Sequence, residues 1–290
     1  MYLLTFKDGN ALRLGVKTEN GVVDVTAAKQ ATGNIEASET VEDLLTGGDD
    51  AATALAALAA GAPASAIRDE SSLTFGPCLP RPTKVICIGL NYRRHAEETN
   101  SPIPATPVVF SKFNNAIAAH NEEVPLPPVD TEYDYEAELG VIIGKTAKNV
   151  SEADALNYVF GYCTANDVSA RELQRRTSQW VLGKTLDKFL PVGPYLVSAD
   201  KVGDPQKLAV KCWVNGELRQ DSTTADMIFS VAQLVSYLSK HFTLSPGDLI
   251  STGTPEGVAM GRADKPWLKP GDTVEVEVEK LGRLRNVMTS

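Results

Sequence analysis

The stretch Asp134-Tyr135-Glu136-Ala137-Glu138-Leu139-Gly140-Val141-Ile142-Ile143-Gly144 sets two carboxylates at the mouth of an apolar strand. Side chains at i and i+2 of a strand point to one face, so Glu136 and Glu138 project in parallel toward one point. Hard divalent cations, Mg²⁺, Mn²⁺ or Ca²⁺, ask for such oxygen ligands. The same alternation also marks the wet face of a half-exposed strand. Thr273-Val274-Glu275-Val276-Glu277-Val278-Glu279 alternates strictly and is best read as that kind of strand, with solvated glutamates. Spacing alone does not separate the two cases.

Around this stretch the chain divides into two textures. Residues 1–72 read as a small N-terminal α+β domain without chemically suggestive side chains. Its strand-like runs Leu3–Phe6, Leu12–Val16 and Val22–Val25 are separated by Asp8-Gly9 and Asn20-Gly21, which suit the positive φ of tight hairpins. Thr40 begins a helix with Asp43 three residues on, as in a capping box, and the alanine-rich run Ala51–Ala60 is helical until Gly61-Ala62-Pro63 breaks it. Residues 73–290 read as a second, larger domain. Pro77, Pro80 and Pro82 lead into a strand over Lys84–Ile88. Ser151 with Asp154 predicts a helix to about Phe160, and a one-sided apolar pattern predicts another over Ala225–Ser239. Leu208–Val214, the turn Asn215-Gly216 and Glu217–Arg219 read as a hairpin. Strands outnumber helices and do not alternate with them regularly, so the expected class is α+β, mostly β, rather than a doubly wound parallel sheet.

The 290 residues suffice for a sizeable core, and 43% hydrophobic with 22% charged residues is ordinary for a globular protein. Twenty-eight basic against 37 acidic residues give a formal charge of −9, with no Lys/Arg block, which argues against a nucleic-acid surface. Cys78, Cys87, Cys163 and Cys212 are scattered, with no Cys-x-x-Cys pair; three lie in strand-like apolar contexts and are expected as buried free thiols. Lys7 and Asp8 follow a short apolar run, so no signal peptide is expected. No apolar stretch approaches the ~20 residues that span a bilayer. The expectation is a cytoplasmic protein without membrane or nucleic-acid partners.

A third carboxylate, Asp167, ends the uncharged run Gly161–Asn166, where an unpaired buried charge is costly. It suits either a helix N-cap or a third oxygen ligand beside Glu136 and Glu138. Zinc would lack its usual His and Cys ligands. His95 has Glu98 three residues on, one helical turn away; a carboxylate there raises imidazole basicity and holds its tautomer, as a general base needs. Surface pairs of this kind are also frequent. His120 and His241 have no such acid and are taken as structural. Lys184 follows Gly183 in an apolar stretch, suiting either a substrate carboxylate or the surface. Arg171 and Gln174 follow Asp167 at +4 and +7, one face of a helix. Ser251-Thr252-Gly253-Thr254-Pro255-Glu256-Gly257 could cradle a carboxylate or oxyanion, or be an ordinary turn.

As a set, these pieces resemble the fumarylacetoacetate hydrolase family. The resemblance runs from about Lys84 to Gly257, through Gly89-Leu90-Asn91-Tyr92 with His95 and Glu98, Asp134–Leu139, Ala165–Arg171, Gly183-Lys184 and Thr252–Pro255. It implies a mixed β-sandwich roll, usually a homodimer, preceded by the small N-terminal domain of bacterial members. It implies Glu136, Glu138 and Asp167 as ligands of a catalytic Mg²⁺ or Mn²⁺, with Ca²⁺ an alternative. His95 and Glu98 match a dyad on a lid segment, and Lys184, Arg171, Gln174 and Thr254 match substrate- or oxyanion-contacting positions. The implied substrate is a small 2-oxo acid whose reaction passes through an enolate stabilised by the cation. The expected reaction is hydrolysis of a C–C bond in a 2,4-dioxo acid of acylpyruvate or fumarylpyruvate type, with His95 activating water. Oxaloacetate decarboxylation, or isomerisation or hydration of a 2-hydroxy-diene acid, needs the same enolate, and a non-catalytic binding protein is the remaining class.

Overall fold

A computed structural model describes all of residues 1–290. The Ala137–Ile143 strand is buried along its whole length. It lies inside the larger sheet, antiparallel to Val159–Asn166 on one side and to Leu249–Ser251 on the other. Leu249–Ser251 pairs in parallel with Val85–Gly89, and Val108–Ser111 forms the edge. A second sheet runs in the order Glu217–Thr223, Ala209–Val214, Thr273–Val278, Gly282–Thr289 and Glu123–Pro125.

Both faces of the larger sheet are covered, which is why its strands are apolar runs rather than alternating ones. Leu139, Val141 and Ile143 join one core with Val210, Val276 and Val278 of the second sheet and Leu234 and Leu238 of the Val231–His241 helix. Ile142, Cys87 and Leu249 join the other core, with Leu44, Leu45 and Leu55 of the Val41–Ala60 helix. Alternation therefore turns Glu138, an even position like Ile142, away from the second sheet. The N-terminal strands extend the larger sheet, with Tyr2 and Leu3 paired to Val197 and Leu196. This arrangement of two packed sheets with mostly strand content is the α+β, mostly β roll that the resemblance implies.

Three local expectations need correction. Ser151 does bond Asp154, but the next element is a single 3₁₀ turn, Ala155–Tyr158, because Val159 and Phe160 are drawn into the strand beside Ala137–Ile143. The second helix is Val231–His241, not Ala225–Ser239; Ser230 and Gln233 form a reciprocal capping box, while Met227 bridges to Tyr92. The Thr40 cap and the alanine-rich run belong to one helical stretch kinked at Gly48, whose φ of 64° departs from helix. The hairpin turn at Asn215-Gly216 is as expected, both residues having positive φ. All four cysteines are buried and free, and no helix is long and apolar enough to cross a membrane.

Candidate active site

Glu136 stands just before the buried strand and Glu138 is its second residue. The antiparallel register puts Ala137 opposite Asn166, so Asp167 emerges beside Glu136 and its amide donates to the Glu136 carbonyl at 2.9 Å. One carboxylate oxygen from each of Glu136, Glu138 and Asp167 lies within 4.8 Å of the others, and all three residues are buried. Asp167 is not a helix cap, since the next helix, Arg171–Arg175, has Ala170 at that position. The strand pairing that aligns Leu249–Ser251 with Gly140–Ile142 brings the Ser251–Pro255 loop to Glu138. There the Ser251 hydroxyl donates at 2.5 Å and the Gly253 amide at 2.9 Å, both to Glu138 Oε2. Gly253 has φ +97°, and a Cβ there would sit 2.8 Å from Asn91 Cβ and 2.9 Å from the Ile88 carbonyl. The expected cradle thus grips a carboxylate of the protein itself.

Cations surround the triad. Lys184 Nζ donates to Glu136 at 2.6 Å and to Asp167 at 3.0 Å. It reaches them because Gly183 lets its short helix lie against Arg171–Arg175: a Cβ at 183 would be 2.4 Å from the Gln174 amide nitrogen. Arg171 donates to Asp134 at 2.9 Å, Glu136 at 2.5 Å and Gln174 at 2.8 Å. Lys112, fully buried, donates to the carbonyls of Val168 (2.8 Å) and Phe189 (2.7 Å) and to that of Lys184. Its three N–H groups are spent on backbone, so Asp167 Oδ1, only 2.6 Å away, is an ion-pair neighbour with no aligned donor.

These surroundings split the two glutamates. Burial opposes ionisation of Glu136, but Arg171 and Lys184 outweigh it and hold its carboxyl down at about 2. Burial, then the charges of Asp167 and Glu136, push Glu138 well above the usual carboxylate range against the Ser251 hydrogen bond. Three crowded oxygen donors, one oxygen without an aligned donor and uncompensated charge at Glu138 together fit a hard divalent cation. Zinc's nitrogen and sulfur donors are absent from this cluster.

His95, in the Arg93–Glu98 helix, faces the same cavity and is 5% exposed. Its Nδ1 lies 2.8 Å from Glu98 Oε1, and Glu98 Oε2 accepts from the Gly257 amide at 2.9 Å. The helix is fastened to the turn ahead of Val231: Arg93 donates to the Met227 carbonyl at 2.7 Å, and the Arg94 amide donates to Asp226 at 3.1 Å. Thr254 donates to the Ala137 carbonyl at 3.0 Å and accepts from Gln220 at 2.9 Å. His95, Glu136, Glu138, Arg171, Gln174, Lys184 and Thr254 line one cavity of about 200 Å³; Glu98 and Asp167 stand behind it, bonded to His95 and Lys184.

The structure also shows participants that the sequence reading passed over. Asp134 accepts from the Ala259 and Met260 amides at 2.7 and 3.0 Å as well as from Arg171, tying the cavity wall to the triad. It continues the i, i+2 alternation of Glu136 and Glu138, a signal available in the sequence. Lys112 offered none, because only tertiary structure brings its strand end under Asp167.

The model of the fumarylacetoacetate hydrolase C-terminal domain matches residues 84–289. A fumarylacetoacetate hydrolase domain-containing protein 2 homologue of Dictyostelium discoideum is 53% identical over 216 residues, 71% of each chain. The human mitochondrial oxaloacetate tautomerase FAHD2A is 42% identical over 282 residues, covering 94% of this chain and 86% of its own. The crystal structure of maleylpyruvate hydrolase from Sphingobium sp. SYK-6, in complex with manganese (II) ion and pyruvate, superposes with a TM-score of 0.80 at 29% identity over all of both chains. With the domain model matched over most of the chain and relatives of this identity and coverage, the chain belongs to the fumarylacetoacetate hydrolase family.

Proposed function

We propose that the chain is a divalent-metal-dependent enzyme that interconverts the keto and enol forms of oxaloacetate. The observation that carries this reading is the cavity in which the His95–Glu98 dyad faces the acidic triad with Lys184 beside it. Tautomerisation needs one group to take a proton from carbon and charge stabilisation at the neighbouring oxygen, and no second reactant. A cavity of about 200 Å³ accommodates a compact four-carbon acid. Relatives named oxaloacetate tautomerase, at 41–47% identity, add support.

Glu136, Glu138 and Asp167 would hold the cation, which supplies Lewis-acid stabilisation of negative charge developing on the keto oxygen. His95 would remove or return the proton on the carbon between the keto group and the distal carboxylate. Glu98 would accept a hydrogen bond from Nδ1–H, which leaves Nε2 as the basic nitrogen and stabilises the imidazolium once formed. Lys184 helps to keep Glu136 ionised, donates to Asp167 and would add positive charge beside the oxygen.

Hydrolysis of an acylpyruvate, the reaction preferred on sequence, is the second reading. It is favoured by the likeness to maleylpyruvate hydrolase and by the dyad, which could equally activate water. Following the enol absorbance of oxaloacetate with Mg²⁺ or Mn²⁺ separates the two. Acceleration of its decay that disappears on chelation supports tautomerisation; no acceleration, with pyruvate released from an acylpyruvate, overturns it in favour of hydrolysis.

A further inference from the structure

The proposed substrate carries a second carboxylate, at the end away from the 2-oxo-carboxylate, and that group needs a cation of its own. The basic groups lining the cavity are not equivalent. Lys184 is engaged by Glu136 and Asp167, and Arg171 by Asp134, Glu136 and Gln174; both are almost completely buried. Their charge is already matched by carboxylates of the protein. Arg175 differs. It stands one helical turn beyond Arg171, on the same side of the Arg171–Arg175 helix, and lines the same cavity.

The Arg175 side chain is 51% exposed, and its one protein partner is Glu132, which is 25% exposed. About half of the side chain is therefore open to a ligand that enters from solvent, and a guanidinium fork matches a carboxylate in a bidentate way. Glu132 is kept in place by its own backbone, because its carbonyl accepts from the Arg171 amide at 2.9 Å. It holds the fork at the cavity mouth in the free protein and competes with an incoming carboxylate. The rings of Phe110 and Trp180, 5.4 Å apart, give the same cavity an apolar wall.

We infer that Arg175 binds the distal carboxylate of a 2-oxo dicarboxylic acid and makes the site select dicarboxylates over 2-oxo monocarboxylates. The inference rests on the proposed substrate only for the identity of the acid. Arg175 touches no residue of the triad and acts as a specificity-determining contact. Because it is half-exposed, its replacement leaves the buried network intact.

The test is calorimetric titration of the manganese-loaded full chain with pyruvate and with difluorooxaloacetate, a dicarboxylate that lacks the enolisable hydrogens. Arg175→Gln should weaken difluorooxaloacetate binding about tenfold or more while moving pyruvate less than about twofold. Arg175→Lys should recover part of the loss, and Glu132→Gln, which frees the fork, should tighten the dicarboxylate a few-fold without affecting pyruvate. Equal losses for both ligands in Arg175→Gln, or weaker dicarboxylate binding in Glu132→Gln, would overturn the assignment. The enol-decay assay is run on the same preparations. A wild type that binds the dicarboxylate in the expected ratio but leaves enol decay unchanged sinks the tautomerase reading alone. One that accelerates decay while Arg175→Gln leaves the ratio unmoved sinks the Arg175 assignment alone.

Discussion

Two stretches of this protein carry glutamates at i and i+2, one entering a strand and one within a strand, and they have opposite fates. Glu138 lies in a strand covered on both faces, 2% exposed, with Glu136 and Asp167 beside it. Glu275 and Glu277 lie in Thr273–Val278, where the apolar positions are buried and the glutamates half-buried. There each glutamate has an arginine as cross-strand neighbour: Glu275 is opposite Arg285 and Glu277 opposite Arg283. The local pattern is the same, and the difference is where the sheet puts it. A sheet covered on both sides forces the even-numbered carboxylates into low dielectric and against one another, where a cation is the natural remedy. A sheet with one open face lets water and arginines neutralise them one at a time.

The largest expected effect breaks the buried member of the pair. Glu138→Gln keeps the shape but removes the charge that the Ser251–Gly253 loop orients. Wild type should gain thermal stability with Mn²⁺, about 2.7 kcal/mol at a hundredfold excess over Kd. The variant should show no such gain and lose about 10³-fold or more in oxaloacetate turnover. A variant that keeps the manganese-dependent rise in Tm would remove Glu138 from the ligand set.

Replacing His95 sharpens the comparison by separating proton transfer from the triad. His95→Ala should lower turnover by about 10²- to 10⁴-fold, while the manganese-dependent rise in Tm stays. Loss of that rise as well would mean that the Arg93–Glu98 helix supports the triad directly instead of serving the chemistry above it. Glu98→Gln, which keeps a partner for Nδ1 but not its charge, should fall between His95→Ala and wild type.

Lysines repeat the contrast between the two regions. Lys112→Met leaves three buried carbonyls without a donor and Asp167 without its 2.6 Å neighbour. Breaking a buried pair of this kind costs about 3–5 kcal/mol. Lys211→Met, in the second sheet, removes only a 3.4 Å pair with the exposed Asp221 and should cost about 0.5 kcal/mol or less. Denaturant midpoints at matched m-values measure both. Similar costs would show that Lys112 is no more than a replaceable surface-like contact.

The same contrast explains what was legible in the sequence. The Ala137–Ile143 strand, the Asn215-Gly216 turn and the alternation of Thr273–Val278 are local facts, written in apolar runs and positive-φ residues. Glu136, Glu138, Asp167, His95 and Lys184 could be named because their motifs fall in a familiar order, and the fold brings all but Asp167 to the lining of one cavity, with Asp167 bonded to Lys184 behind it. Spacing by itself did not distinguish Glu138 from Glu277, since burial is decided by strands more than a hundred residues apart in the chain. Helix limits failed for a related reason. Val159 and Phe160 obey their strand partners rather than the Ser151–Asp154 cap, and the Ser230–Gln233 box that does start a helix was hidden behind Met227 and Ile228. Lys112 is the clearest tertiary case, because nothing local announces a lysine whose three donors are spent on three distant carbonyls.

The smallest effect is the one on which the comparison depends most. Glu277 pairs with Arg283 at 2.8 Å, but their side chains are 37% and 46% exposed, so water and salt screen the pair. Arg283 does not depend on it, because its guanidinium also lies 4.2 Å from the ring centre of Trp213. Glu277→Gln should therefore change stability by about 0.5 kcal/mol or less. It should leave turnover and the manganese-dependent rise in Tm at wild-type values. The double variant with Glu138→Gln should behave as the sum of the two, since the residues share no partner. A measurable loss of the manganese effect in Glu277→Gln would mean that the cation reads acidic alternation wherever it occurs, and the burial argument for Glu136 and Glu138 would fall with it.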